Sequence, residues 1–522
     1  MDAAALFADV VHYASLAPHR SGTAGDHATS AWIASRLRAA AWSVDLSAMT
    51  VQPFFEYQGC EMIVSGEHHE CFAVWLPNAS CVGGALPIRH AAAAASAGAP
   101  PIPVPPVTRR HVSLVEVSTA TLAGGAGSSI QSSIQRGAAA VVVINGAGSL
   151  GGPAPNNPEP TALNAPPPYS GRVWPVPVLL AGGAARAALL APDARVDRLC
   201  VHGRLHPDGA STTHNVLAHL SIPAKRPTSR PPRRLVVSTP TTGWFRCGGE
   251  RGPGVALLLF LARTLPGLID QITKHAVELL FVASAAHELG QLGATAARAH
   301  AEARGFTPAA TDLWLALGST ISNWQTFPPG GQQGRGVFRS LLHYSAASLA
   351  PVAAPLRSIG FQPALRAPEA LRGELAHVAR AGYPAMGFYG HGFKFHVADD
   401  DANSTSGEML GEVASALLEA CRRLLDDDAP LPGAPADASA LAALQQHGQA
   451  QGHGQGQGQV EGAPLRASVD AGGLHASGAT GVAPYSIAAG LLLLLAAFFS
   501  VRRATRRRAG GRLAVPSGDG FL

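Results

Sequence analysis

Between residues 211 and 425 the chain repeats a rhythm that few folds accommodate: short runs apolar on both faces, each followed by a helix-length segment. AVELLFVASA is the clearest case. A strand of that kind has no polar side to offer water, so it belongs inside a sheet covered by helices on both faces. NVLAHLS, RLVVSTP, DLWLALGS, GVFRSLLHYS and AMGFYG read as its companion strands. GPGVALLLFLARTL, ELGQLGATAARAHAEAR and STSGEMLGEVASALLEACRRLL read as the intervening and closing helices, the last with a Ser/Thr start. The expectation is an α/β domain over residues 211–428 with a mixed, largely parallel sheet.

Residues 1–48 supply a helix, ATSAWIASRLRAAA, leading into the strand-like WSVDLSAMTV, which fits the opening of the same layer. The stretch 49–210 is dense in Pro and Gly yet holds HVSLVEV, then SSIQSSIQRG running into AAVVVINGAG, then VWPVPVLLAGG. Short strands around one helix predict a small inserted α+β domain.

The remainder of the chain has a different character. Residues 429–484 are rich in Pro, Ala, Gly, Gln and His, a composition that buries too little apolar surface to order itself, so a flexible linker is expected. Tyr485 to Val501 carries no charge and, at ~1.5 Å per residue, is a short transmembrane helix candidate. Six arginines against one aspartate follow it in residues 502–522, which accounts for the whole net charge of +5. Residues 1–501 are then neutral, which argues against nucleic acid as a partner of the folded part. Arginines after the span place the bulk of the chain outside the cytoplasm by the positive-inside rule, although no basic-then-apolar leader opens the sequence. Six cysteines are too few for a disulfide scaffold and none forms a C-x-x-C pair, so the compartment is left open.

Ligand chemistry in such sheets collects at the loops leaving the strand C-termini. Three of those loops carry polar groups that a plain connector does not need. TTGWFRCGGERGPG places Glu250 ahead of a helix, VASAAHELG places His287 and Glu288 after a strand, and GHGFKFHVADDD carries His391 and His396. Two carboxylates and a histidine at one sheet edge form a zinc site with three protein ligands and an open fourth position. An adjacent histidine is suited to take a proton from the bound water. A carboxylate just ahead of a helix is also stabilised by the helix N-terminus alone, which is the plainer account of Glu250 or Glu288 taken singly.

SGTAGDHATSAWIASRLRAAAWSVD, THNVLAHL, GERGPGVALLLFLARTL, VELLFVASAAHELGQLGA and FHVADDD occur in the order and spacing of the zinc exopeptidases of the aminopeptidase and glutamate carboxypeptidase type, which the chain resembles over most of residues 15–425. The middle stretch resembles the protease-associated domain that many of them carry inserted. The resemblance implies two metals and five ligands, and here it is incomplete. Pro240 stands at the first histidine position and Ala316 near the strand-end aspartate, while Glu250, Glu288 and His396 match the complete shell of one metal. It implies one Zn²⁺ held by those three, with His287 in the place of the general base. The function expected is metal-dependent hydrolysis of a peptide or related amide by a membrane-tethered protein. The alternatives are a non-catalytic binding protein on the same fold and a transferase of the glutaminyl-cyclase kind.

Overall fold

The computed structural model describes residues 2–90, 111–117, 125–145, 159–164, 173–206, 211–225, 229–272, 275–325, 336–390, 392 and 394–426. These all lie within one compact unit of the chain. The expected linker, the Tyr485–Val501 span, the basic tail and His391 lie outside the described residues.

In chain order the strands are β1 (Ser43–Val51), β2 (Phe54–Val64), β3 (Glu67–His69), β4 (Cys71–Ala73), β5 (Cys81–His90), β6 (Val112–Val117), β7 (Ala140–Asn145), β8 (Val178–Ala181) and β9 (Arg195–His206). They continue with β10 (Ser211–Ile222), β11 (Arg233–Pro240), β12 (Val277–Ser284), β13 (Leu313–Ala316), β14 (Asn323–Gln325), β15 (Gly336–Phe338), β16 (Leu341–Tyr344), β17 (Pro363–Leu365) and β18 (Ala385–Tyr389).

Eight of them form one mixed sheet in the order β1-β10-β12-β11-β13-β18-β16-β17. The central four, β12, β11, β13 and β18, are mutually parallel. Period-two alternation sends successive side chains to opposite faces. Leu235 and Val237 of β11, with Phe281 of β12 and Leu315 of β13, pack into one core, and Val236, Leu280, Val282 and Trp314 into another. Helices Ala3–Ser15, Ala24–Ala39, Gly252–Ile272, Ala350–Ser358 and Gly407–Leu425 cover the first face. Leu292–Ala303 and Gly373–Arg380 cover the second.

Gly252–Ile272 is long and apolar enough to cross a membrane, but 72% of its most apolar window is buried within the fold. It is the inner helix of its layer, wedged between β11 and β12 on one side and the first, second and last helices on the other. This explains why its first half, Gly252 to Ala262, is buried and apolar all round.

A second eight-stranded sheet, β3-β2-β9-β5-β6-β7-β8-β4, occupies the middle of the chain and has its own core around Trp75, Trp174 and Val142. It is larger than the three elements legible in the sequence. β2, β5 and β9 are long antiparallel strands with polar, broken patterns that carry no clear period. Two disulfides staple it: Cys60–Cys71 joins β2 to β4, and Cys81–Cys200 joins directly paired residues of β5 and β9. Four of the six cysteines are therefore paired, and Cys247 and Cys421 are free and buried. Sparse cysteines look unpaired in a linear reading because the register of strands 119 residues apart decides which sulfurs meet.

Candidate functional site

The parallel strands β11, β12, β13 and β18 all end at one edge of the sheet, and the loops leaving them build the site. The loop after β11 turns through Cys247, at φ +49, and two glycines before the helix at Gly252. A Cβ on Gly249 would stand 2.5 Å from the Ser404 Cβ, so only glycine lets this turn press against the loop after β18. Asp400 of that loop accepts the Gly249 and Glu250 backbone N–H groups at 3.1 and 2.9 Å, which fixes the direction of Glu250. Burial first, then the nearby Glu250 charge, pushes the Asp400 carboxyl up to about 7.

The loop after β12 holds Ala286 at φ +51, Gly290 at +71 and Gln291 at +60. Three left-handed residues stop the helix from continuing back to Glu288, so Leu292–Ala303 starts four residues later than Glu288. Neither glutamate caps its helix. Their oxygens are engaged elsewhere.

Glu250, Glu288 and His396 are brought to one buried place, exposed by 1%, 2% and 7% respectively. Between the two glutamates stands Arg251. Its Nη2 lies 2.8 Å from Glu250 Oε1 and 3.1 Å from Glu288 Oε1. Its Nε donates to the Thr242 carbonyl at 3.1 Å, and the side chain is only 3% exposed, so the guanidinium is held on both sides. The Thr242 hydroxyl donates to Glu288 Oε2 at 2.7 Å. His396 Nε2 lies 3.2 Å from Glu250 Oε1, while its Nδ1–H donates to the Ala162 carbonyl at 2.8 Å; the His396 carbonyl accepts the Ala162 N–H at 2.8 Å. His396 sits at φ +61 and is thus clamped by a loop of the inserted sheet.

The charge states follow. Burial alone would raise the Glu250 pKa, but Arg251 and then His396 outweigh it and hold the carboxyl at about 2. Burial alone would discharge His396, but the Glu250 carboxylate more than offsets that and raises its pKa. Glu250 thus stands ionised against the Arg251 guanidinium. Glu250 Oε1 is shared between Arg251 Nη2 and His396 Nε2.

Converging side chains of this kind would suit a chelated ion, and Arg251 decides against one. An ion bonded to both glutamates and to His396 would share its oxygens with the guanidinium. Among the described residues, the one trio whose ligand atoms lie within 4.8 Å of one another is Glu61, Cys200 and His202, and Glu250, Glu288 and His396 are not such a trio. That other trio offers no thiolate, because Cys200 is bonded to Cys81. The expected single zinc therefore does not fit the residues as they stand. The sequence reading missed Arg251 because an arginine next to an acid at a helix start reads as a solvated pair.

Pro240 and Ala316 end β11 and β13 at the same edge, and neither side chain can bind a metal. His287 is set apart from the carboxylate cluster: its Nδ1 lies 3.0 Å from Glu374 Oε1, and its backbone N–H donates to Thr242 Oγ1 at 3.1 Å. Glu374, in the first turn of Gly373–Arg380, also accepts from the Ser284 hydroxyl at 2.8 and 2.9 Å. With Nδ1–H turned to Glu374, Nε2 is the basic nitrogen of the ring. Ser284 is no nucleophile of a triad, since the acid and not the histidine is its partner.

Above Glu288 a crevice of about 20 Å³, room for roughly one water, runs between Arg20, Ser21, Phe55, Trp75, Trp244 and Leu289.

Solved structures similar to this chain in shape include two aminopeptidases and a peptidase precursor. A zinc aminopeptidase from Bacillus subtilis, BSAP, aligns at TM-score 0.55 and 16% identity, over 82% of this chain and 96% of that one. An aminopeptidase from Aneurinibacillus sp. strain AM-1 aligns at TM-score 0.55 and 16% identity, over 84% and 97%. A peptidase M28 precursor from Shewanella amazonensis SB2B aligns at TM-score 0.59 and 14% identity, over 83% and 96%. The fold is that of the zinc exopeptidases. No protein-family model matches the chain, and no curated protein matches it in sequence.

Proposed function

We propose that this chain is a non-catalytic binding protein built on the zinc-exopeptidase fold, the second of the readings weighed from the sequence. One observation carries it: Arg251 stands between the two glutamates that a single zinc would need, tied to Thr242 and shut from solvent. Arg251 brings to the two glutamates a positive charge of the kind a zinc ion would bring, without a Lewis acid. The narrowness of the crevice above Glu288 adds support, since a peptide backbone needs far more room than one water. A cyclase reading needs the same vacant metal position and falls with it.

One observation favours the hydrolase reading instead. His287, oriented by Glu374, keeps a basic nitrogen where a general base would act. That reading requires Arg251 to leave its place.

Within this proposal the inserted sheet is a domain of the protease-associated type. Its two disulfides favour an oxidising compartment for the folded part. Tyr485–Val501 is kept as the membrane anchor, on its charge-free run and the arginines after it.

The test is metal analysis and hydrolysis on the purified full chain. After incubation with Zn²⁺ and gel filtration, the expected content is below ~0.1 zinc per chain, with no release of residues from an aminopeptidase-substrate panel. About one zinc per chain, lost in His396→Ala together with measurable hydrolysis, overturns the proposal and restores the hydrolase.

A further inference from the structure

Asn403, Ser404 and Thr405 form a tripeptide that neither the buried cluster nor the fold accounts for. An asparagine followed two residues later by a hydroxyl side chain is the acceptor pattern for an N-linked oligosaccharide. Asn78, Ala79 and Ser80 form a second one. Such tripeptides are common, so exposure decides which asparagine can carry a sugar in the folded chain. Asn215 and Asn323 are buried and Asn78 and Asn164 are half-buried, whereas Asn403 is exposed.

Its place in the chain is a single 3-10 turn, Ala402–Ser404, between the loop carrying His396 and Asp400 and the closing helix Gly407–Leu425. Ala402, Ser404 and Thr405 are buried, so this turn presents residue 403 alone to solvent. The Asn403 backbone N–H donates to Asp401 Oδ1 at 3.0 Å, and its Nδ2 donates to Asp401 Oδ2 at 3.3 Å. An amide nitrogen has two hydrogens. A sugar replaces one of them, and the other can keep the bond to Asp401.

Thr405 is in a different condition. Its hydroxyl donates to the Ser322 carbonyl at 2.9 Å, with the Ile321 carbonyl at 3.2 Å, and its backbone bridges to Asn323. The Ser406 N–H holds the same segment through the Ser322 carbonyl at 2.9 Å. A hydroxyl tied in this way is closed to a modifying enzyme, so transfer has to precede the docking of residues 404–406 on residues 321–323.

We infer that Asn403 is an N-glycosylation site, modified before its loop folds. The sugar then stands on the solvent side of the loop whose buried side holds His396 and Asp400. The co-reactant is an oligosaccharide carried on a polyprenyl diphosphate. Asn403 Nδ2 forms a bond to the anomeric carbon, the sugar–diphosphate C–O bond breaks, the diphosphate leaves with the electron pair, and Nδ2 gives up one proton. This rests on the oxidising compartment favoured by the two disulfides, because disulfide formation and such transfer share the secretory lumen.

The experiment is expression of the full chain in cultured animal cells, with Asn78→Gln so that the second tripeptide is silent, and peptide mapping without reductant to record the disulfides. The chain is expected to carry a glycan that peptide N-glycosidase removes, leaving a labelled aspartate at position 403 when the digestion is run in heavy-oxygen water. Adding Asn403→Gln abolishes the mass shift. Thr405→Ser keeps it, and Thr405→Val loses it although Asn403 is present. Bacterially made, disulfide-bonded chain is refused by purified oligosaccharyltransferase and its lipid donor, while the reduced and alkylated chain is accepted. An unmodified Asn403 in a chain whose Cys81–Cys200 disulfide has formed overturns the inference and leaves the compartment reading standing. Free thiols at Cys81 and Cys200 together with an unmodified Asn403 overturn both. A glycan that persists in Asn403→Gln overturns the assignment, and equal acceptance of the folded and alkylated chains overturns the order of events.

Discussion

Replacing Arg251 by alanine removes the one cation that touches both glutamates. Glu250 Oε1 and Glu288 Oε1 lie 2.8 and 3.1 Å from its Nη2. Without it, two buried carboxylates face each other across less than about 6 Å, which costs ~3 kcal/mol in repulsion alone at an effective dielectric near 20. Each also loses its attraction to the guanidinium, and stripping one partner from a buried pair typically destabilises by about 3–5 kcal/mol. With His396 still present to neutralise part of the charge, Arg251→Ala is expected to lose about 4 kcal/mol in denaturant unfolding at pH 7. The space it leaves is expected to let the two carboxylates and the imidazole draw together around an ion. Zn²⁺ at a hundred times its dissociation constant should then return about 2.7 kcal/mol to the variant, and nothing to the wild type. Two results refute the reasoning: an Arg251→Ala protein as stable as wild type, or zinc stabilising wild type and variant equally. The first would mean the guanidinium carries no net charge balance, and the second that it does not block the position.

Two further perturbations probe the surroundings. Asp26 accepts the Gly22 N–H and the Thr213 hydroxyl through Oδ2 while Oδ1 is buried without a partner, and burial raises its pKa to about 6 from the ordinary 3.8. The folded state therefore holds a proton that the unfolded chain has released, and stability falls as pH rises from ~4 to ~6 by roughly 3 kcal/mol; Asp26→Asn should remove that slope in thermal melts, and a slope unchanged in the variant would assign it elsewhere. Cys81–Cys200 closes a loop of 119 residues, so Cys81→Ser with Cys200→Ser should cost about 3–5 kcal/mol in unfolding of the inserted sheet; peptide mapping without reductant should recover both disulfides, and free thiols at all four positions would contradict the pairing.

Much of the fold was legible because burial on two faces leaves a local trace. RLVVSTP and AVELLFVASA became β11 and β12 nearly residue for residue, and Ser406 caps the closing helix by accepting the Met409 N–H. Boundaries failed where backbone conformation overrode pattern. ELGQLGATAARAHAEAR reads as one helix, but Gly290 and Gln291 adopt left-handed angles and the helix begins at Leu292. GVFRSLLHYS reads as one strand and is two, β15 and β16, in different sheets. The helix Ala3–Ser15, capped by Asp2, and most strands of the inserted sheet went unnoticed, the latter because partly exposed antiparallel strands interrupted by polar residues and glycine show no long apolar run.

At the site, the residues that meet were legible and their charges were not. Glu250, Glu288 and His396 lie on loops whose strands share an edge, so topology alone brings them together. What they meet around depends on Arg251, and nothing in GGERGPG says whether its side chain turns outward or into the fold. The turn decides it: Gly248 and Gly249 pack so tightly on the loop carrying Asp400 that the next two side chains have only the interior to enter. Once inside, a guanidinium cannot shed its proton, so the two glutamates become its counter-ions whatever else is offered. The charge of buried carboxylates can be balanced by a divalent ion or by an arginine placed between them. In this chain the residue after Glu250 is an arginine, and its guanidinium lies against both glutamates. Retention of the three side chains is thus no argument for retention of the metal, because the folded loops need their charges balanced in both cases.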